Sequence, residues 1–290
     1  MSDRTLGEAA EEDILHDGFS TRLRRTGAPD LPAMLLIHGS GPGATGWSNW
    51  QYLLPELAGQ FHCISMDLSG YGNSPAPETM PAGTAEWLEV WIAQTVSLVR
   101  RLGLGRVHLV GNSLGGAIAL HAALRAPGLF DRIALMGTAG VPCRLTRELD
   151  LIWGFYDNPT PEMMRLVTQW FAHDPDFLGD RLDAIAAARY AAAMQPQIRA
   201  AFASMFPAPR AAALNALEVP DAGLRMIRHP VLLIHGVEDA IVPLETSLTL
   251  LQRLGGPVQA HFYNRSSHWT QVEHKDSFNH VIAEFFAARL

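Results

Sequence analysis

Val107-His108-Leu109-Val110-Gly111-Asn112-Ser113-Leu114-Gly115-Gly116 is the stretch on which the fold turns. Val107 to Val110 reads as a strand, and Leu114 to Ala126, stopped by Pro127, reads as a helix. Between them Gly111-x-Ser113-x-Gly115 sets a serine at a strand-to-helix turn. The residue types follow from the chemistry. An attacking serine must stand on a sharp turn with its hydroxyl above the sheet, and glycines two positions to either side leave room for that turn. Gly116, Ala117 and Ala119 let the helix approach the strand. The helix N-terminus brings partial positive charge to where negative charge develops. A bare G-x-S-x-G arises by chance, so the strand before it and the helix after it carry the weight. The bland alternative is a tight turn whose serine merely caps the helix.

Outward from this segment, short apolar runs alternate with helical patterns. Met34 to Ile37 and His62 to Leu68 read as strands, and Thr84 to Gly103 as a helix with Leu88, Trp91, Ile92, Thr95, Val96, Val99 and Leu102 on one face. Ile133 to Met136, Val231 to Ile234 and Ala260 to Tyr263 are further strands, with helices from about Leu244 to Leu254 and from about Asp276. This alternation predicts an α/β fold, a mostly parallel sheet flanked by helices. Between about Val141 and Pro220 it stops. That stretch is rich in Ala, Met and aromatics such as Trp153, Phe171, Phe202 and Phe206. It reads as a helical lid (141–215) inserted into a core domain formed by 1–140 and 216–290. Most of its apolar residues pack the insertion down, and some line a pocket over the site.

A serine hydroxyl is a weak nucleophile until a base takes its proton. In a strand-elbow-helix setting the partners follow in the order Ser, acid, His. Of twelve histidines, His268 in Asn264-Arg265-Ser266-Ser267-His268-Trp269 combines that order with a loop after the last strand. His38 and His235 precede glycines at strand ends and are expected to be structural. His121 lies inside a helix, His229 precedes Pro230, and His274 and His280 lie near or in the terminal helix. The acid stands in Gly236-Val237-Glu238-Asp239, where Glu238 and Asp239 compete. The glycine-rich His38-Gly39-Ser40-Gly41-Pro42-Gly43 loop follows the first clear strand. It can bring a backbone N–H to a substrate oxygen, with the N–H of Leu114 as second donor.

The whole chain narrows the function further. A net charge of −7 with no basic run argues against nucleic acid as a partner. Every apolar run is too short for a membrane span. The acidic start MSDRTLGEAAEED has no apolar signal core, so the expected location is cytoplasmic. Cys63 and Cys143 form no metal-type spacing and are expected to be plain structural residues. No cofactor motif appears, and the expected cofactor and metal content is none.

His38-Gly39-Ser40-Gly41-Pro42-Gly43-Ala44 with Gly46-Trp47-Ser48-Asn49, Gly111-Asn112-Ser113-Leu114-Gly115-Gly116, and His268-Trp269-Thr270-Gln271-Val272-Glu273-His274 resemble the α/β-hydrolases that cleave meta-fission products of aromatic rings. Ser204 to Arg210 in the insertion is similar too. The resemblance runs from about residue 33 to the C-terminus. It implies the α/β-hydrolase fold with a helical lid, and a triad of Ser113, Asp239 and His268, Asp239 being favoured by similarity to the usual Gly-x-x-Asp after this strand. It implies an oxyanion hole from Ser40, Gly41 and Leu114. Arg189 would hold a substrate carboxylate from the insertion, with Asn49, Asn112 and Trp269 contacting the dienoate; otherwise Arg189 is a salt-bridge residue. The implied substrate is a 2-hydroxy-6-oxohexa-2,4-dienoate from aromatic catabolism, the products a 2-hydroxypenta-2,4-dienoate and a carboxylic acid. The implied assembly is a homo-oligomer, a dimer or higher. Ser267 departs from the glycine that often precedes this histidine. The same triad also suits a carboxylesterase or lactonase, and a ligand-binding scaffold that has kept the fold is the alternative outside enzymes.

Overall fold

A computed structural model describes residues 9–288 of the chain; the opening eight residues of the acidic N-terminal stretch lie outside them. Eight strands form one sheet: β1 (Ala10–His16), β2 (Phe19–Thr26), β3 (Ala33–Ile37), β4 (His62–Met66), β5 (Val107–Asn112), β6 (Phe130–Met136), β7 (Val231–Gly236) and β8 (Val258–Tyr263). Their order is β1-β2-β4-β3-β5-β6-β7-β8. From β4 to β8 every pairing is parallel. Parallel strands need covering on both faces, and β3, β4, β5 and β7 are buried along their whole length.

The strand period of two divides the core. Leu35 and Ile37 of β3 face one cluster with Leu109, Ile133 and Leu233, packed under α3 (Thr84–Leu102) and α4 (Leu114–Arg125). Met34 and Leu36 face the other with Val110, Ala134 and Ile234. Helices α1 (Gly46–Trp50) and α2 (Leu54–Leu57) cover that face through Trp50 and Leu54, and α13 (Lys275–Phe286) through Phe278, Ile282 and Phe285.

Between β6 and β7 come six α-helices with no strand among them, the first five being α5 (Arg147–Trp153), α6 (Pro161–Gln169), α7 (Arg181–Ala193), α8 (Pro196–Met205) and α9 (Arg210–Asn215). They pack onto the sheet domain without a core of their own large enough to stand alone. Trp153, Phe171, Phe202, Met205 and Phe206 belong to the same buried cluster as Ile37 and Leu114. Only Phe155, Met164, Ala186 and Ala193 form a separate small cluster. The chain rejoins the sheet through α10 (Asp221–Met226), and α11 (Glu245–Arg253) and α12 (Thr270–Glu273) complete the helices.

The antiparallel β1–β2 hairpin has no counterpart in the apolar pattern. Its solvent-side positions carry charges, with Glu11 opposite Arg24 and Asp13 opposite Arg22 in register. Arg22 Nε donates to Asp13 at 2.6 Å, and Arg22 and Arg24 both pair with Glu11. The turn is Asp17-Gly18, both at positive φ (43° and 84°), the backbone a two-residue hairpin loop demands. Underneath, His16 Nδ1 lies 2.7 Å from Ser97 Oγ, tying the hairpin to α3.

Candidate active site

Ser113 sits at φ 57° and ψ −116°, a strained backbone for a residue with a Cβ. Its side chain makes no capping bond to α4, so the helix-cap reading is set aside. The flanking glycines are steric necessities. A Cβ on Gly111 would lie 2.5 Å from the Gly115 carbonyl, one on Gly115 2.4 Å from the Ile37 carbonyl, and one on Gly116 1.9 Å from Thr138 Oγ1. The β5 end, α4 and the β3 end are thus pressed together around the serine.

Asp239 follows β7 and His268 follows β8, at the same edge of the sheet. Asp239 Oδ2 lies 2.7 Å from His268 Nδ1, and both side chains are essentially buried. Asp239 Oδ1 accepts from the N–H groups of Ile241 and Val242 at 2.8 and 2.9 Å. Burial alone would raise the Asp239 carboxyl. The N–H groups that His268 and His235 turn toward it, by their positive potential and hydrogen bonding, outweigh it and hold the group well below the usual carboxylate range. Glu238, the competing acid, points away and accepts from Ser266 N at 3.2 Å.

Ser113 and His268 line one cavity of about 480 Å³ with Ser40, Gly41, Asn49, Asn112, Arg189 and Trp269. The structure therefore brings together every predicted site residue except Asp239, which lies behind His268, and Leu114, whose buried side chain leaves only its backbone at the start of α4 to serve. The β3 loop closes on the serine: a Cβ on Gly39 would be 3.2 Å from Ser113 Cβ. The two asparagines are bonded to each other, Asn112 Nδ2 donating to Asn49 Oδ1 at 2.8 Å, which also accepts from Gly39 N at 3.2 Å. Asn49 Nδ2 and Asn112 Oδ1 are buried and have no hydrogen-bond partner among the described residues.

Arg189 enters from α7. Its Nη2 donates to the Pro42 carbonyl at 3.3 Å, and its Nε is buried without a partner. Among the described residues no carboxylate pairs with it, so it is not the salt-bridge residue of the alternative reading. The guanidinium lies 4.8 Å from the Phe171 ring centre and 5.4 Å from that of Trp269, two rings that stack at 4.8 Å. Burial pulls its pKa down to about 10, which leaves it charged at neutral pH. Two glycines of the β3 loop answer to this helix: a Cβ on Gly43 would be 2.4 Å from the Arg189 carbonyl, and one on Gly41 2.8 Å from Nη2.

Several contacts were not anticipated. Ser40 Oγ accepts from Trp153 Nε1 at 2.8 Å, joining α5 to the loop beside Ser113. Trp269 N donates to Phe171 O at 2.8 Å, and His173 N to Glu273 Oε1 at 2.7 Å. Ser267, the departure from glycine, donates to Trp170 O at 3.3 Å. His235, expected to be merely structural, touches Asp239. Leu149, Ile152, Ile241 and Val272 form an apolar part of the wall. Among the described residues no cluster of three or more His, Cys, Asp or Glu could hold a metal, and no helix is long and apolar enough to cross a membrane. Cys63 and Cys143 are free thiols.

The profile of the alpha/beta hydrolase fold family matches residues 32–275. A 2-hydroxy-6-oxo-2,4-heptadienoate hydrolase of Pseudomonas putida is 41% identical over 95% of each chain. A 2-hydroxymuconate semialdehyde hydrolase of a Pseudomonas species is 40% identical over 95% of this chain and 93% of its own. Among solved structures, the 2-hydroxy-6-oxo-6-phenylhexa-2,4-dienoate hydrolase of a Rhodococcus species superposes with a TM-score of 0.92 at 34% identity, covering 97% of this chain and 99% of its own.

Proposed function

The chain belongs to the α/β-hydrolase family and, by full-length similarity, to its meta-cleavage product hydrolases, and from that premise we propose that it hydrolyses the C5–C6 bond of a 2-hydroxy-6-oxohexa-2,4-dienoate. The observation that carries this reading is Arg189, a cavity-lining guanidinium with no acidic partner, on the same cavity as Ser113 and His268. An ester hydrolase has no need of a charged lid residue there; a substrate with a C1 carboxylate does.

A carbanion is a poor leaving group, so the dienol must first take a proton at C5 and become the 2-keto form. Arg189 holds the C1 carboxylate, and Asn49, Asn112 and Trp269 contact the dienoate chain beside it. The C6 carbonyl then lies over Ser113. His268 takes the proton of the attacking oxygen and is stabilised as imidazolium by Asp239. The oxyanion at C6 is met by backbone N–H groups of the Ser40-Gly41 loop and of Leu114. When the C5–C6 bond breaks, its electron pair moves through C3=C4 onto the C2 oxygen, giving 2-hydroxypenta-2,4-dienoate. C6 leaves as a carboxylic acid after water has supplied OH. By the same resemblance the enzyme works in the cytoplasm as a homo-oligomer, a dimer or higher.

The test is direct. Purified protein is mixed with dienoates carrying H, methyl or phenyl at C6, and loss of their visible colour is followed beside cleavage of a p-nitrophenyl ester. Fast decolourisation with far slower ester cleavage is expected, and the rank of the three substrates sizes the acyl end of the cavity. Brisk ester cleavage with no decolourisation would make the protein an esterase.

A further inference from the structure

The acid of the triad has a second histidine. His235, near the end of β7, is fully buried, as is Ser247 in α11. His235 Nδ1 lies 2.7 Å from Ser247 Oγ. Its Nε2 lies 2.9 Å from the Val242 carbonyl and 3.2 Å from Asp239 Oδ2. A carbonyl and a carboxylate only accept, so the proton of the neutral ring must sit on Nε2. That leaves Nδ1 to accept from the Ser247 hydroxyl, and this single tautomer satisfies all three contacts.

The consequence falls on Asp239. Its Oδ1 is tied by the Ile241 and Val242 amides, while Oδ2 faces two imidazoles, His268 at 2.7 Å and His235 at 3.2 Å. Without His235 the catalytic side of the carboxylate would be held by His268 alone, which is the group the carboxylate is there to orient. We propose, on the triad of the function given above, that His235 is a positioning residue for the reaction. Its Nε2–H, bonded to the Val242 carbonyl at 2.9 Å, also faces Asp239 Oδ2 at 3.2 Å and keeps it in line with His268, and Ser247 sets the tautomer that makes His235 a donor. The contacts Ser247–His235, His235–Asp239 and Asp239–His268 thus run from α11 past the ends of β7 and β8 to the cavity that Ser113 also lines.

Four variants decide it: S247A, S247T, H235F and H235Q. Each is measured below its own melting transition for dienoate turnover and for the rate at which a fluorophosphonate labels Ser113. In S247A and H235F, kcat and labelling should fall roughly tenfold, a part of the 10²–10⁴ that a positioned base supplies, with KM nearly unchanged. S247T keeps the hydroxyl, and the H235Q amide nitrogen reaches where Nε2 stood, so both should recover most of the loss. A role confined to bracing the turn at Val242 would lower the melting temperature and leave the folded enzyme's kcat alone. Folded S247A and H235F labelling at the wild-type rate would overturn the proposal. Should H235F not fold, the S247A and S247T pair decides alone. If the wild type labels but leaves every dienoate intact, the carbon–carbon reading fails, and the labelling rates still judge His235.

Discussion

Ser113, Asp239 and His268 stand on turns that follow β5, β7 and β8 in the parallel part of the sheet, whereas Arg189 reaches the same cavity from α7, between β6 and β7. The sheet-borne groups are held many times over. Asp239 has hydrogen-bond donors on both oxygens, and the Ser113 turn is wedged between backbone atoms that no side chain could replace. Arg189 has one hydrogen bond, at 3.3 Å, and two aromatic rings. On the proposed function, bond-breaking geometry is built into the sheet, where small displacements are resisted by close packing, and recognition into the helices between β6 and β7. The two regions are nonetheless stitched together at Phe171–Trp269, His173–Glu273, Trp170–Ser267 and Trp153–Ser40.

If chemistry and recognition are divided in this way, the two regions should fail differently when altered. The largest effect belongs to the sheet. S113A should lower kcat on the dienoate by on the order of 10³-fold or more, as for other hydroxyl nucleophiles, while the dissociation constant for the coloured substrate stays within a few-fold. Stopped-flow binding beside steady-state turnover measures both, and near-normal turnover would break the assignment. The next effect belongs to the lid. R189A removes a charged hydrogen-bonding group worth about 1.5–3 kcal/mol, so KM for the dienoate should rise roughly 10- to 150-fold. Cleavage of a small neutral ester should hardly change. R189K should recover only part of the loss, because a point charge cannot make the two-pronged contact. Equal losses on both substrates would mean that α7 shapes the nucleophile as well, and the division would be wrong.

The sheet domain was legible in the sequence because a doubly covered strand leaves an unbroken apolar run and an elbow leaves its glycines. His268 was legible by order along the chain; order led to Glu238 and Asp239 together, and the family resemblance chose Asp239. The β1–β2 hairpin was not, because its outward positions carry cross-strand charge pairs such as Arg22 with Asp13, and a window that weighs apolar periodicity reads those as loop. Asp17-Gly18 was the available signal. His235 was taken for a strand-end residue because its contact with Asp239 depends on how the chain turns between the two, which spacing does not reveal. Phe171 and Glu273 escaped as site residues for a related reason: their importance lies in contacts between segments about 100 residues apart. Arg189 needed the family resemblance, since one arginine in an alanine-rich helix carries no pattern of its own.

The smallest expected effect tests the stitching itself. Ser267 is buried, and its hydroxyl gives the lid one bond at 3.3 Å, near the limit of useful length. In S267A the Trp170 carbonyl loses that donor, while Trp269 N and Glu273 still bind the same lid segment. The loss should therefore be about 1 kcal/mol or less, a shift of roughly 2–4 °C in Tm for a chain of this size. If the lid only recognises, kcat should stay within twofold and any change should appear in KM. A larger fall in kcat with a small fall in Tm would mean that this bond sets the position of His268 from the lid side. The base would then belong to both regions, with Ser267 the residue through which the lid acts on the chemistry.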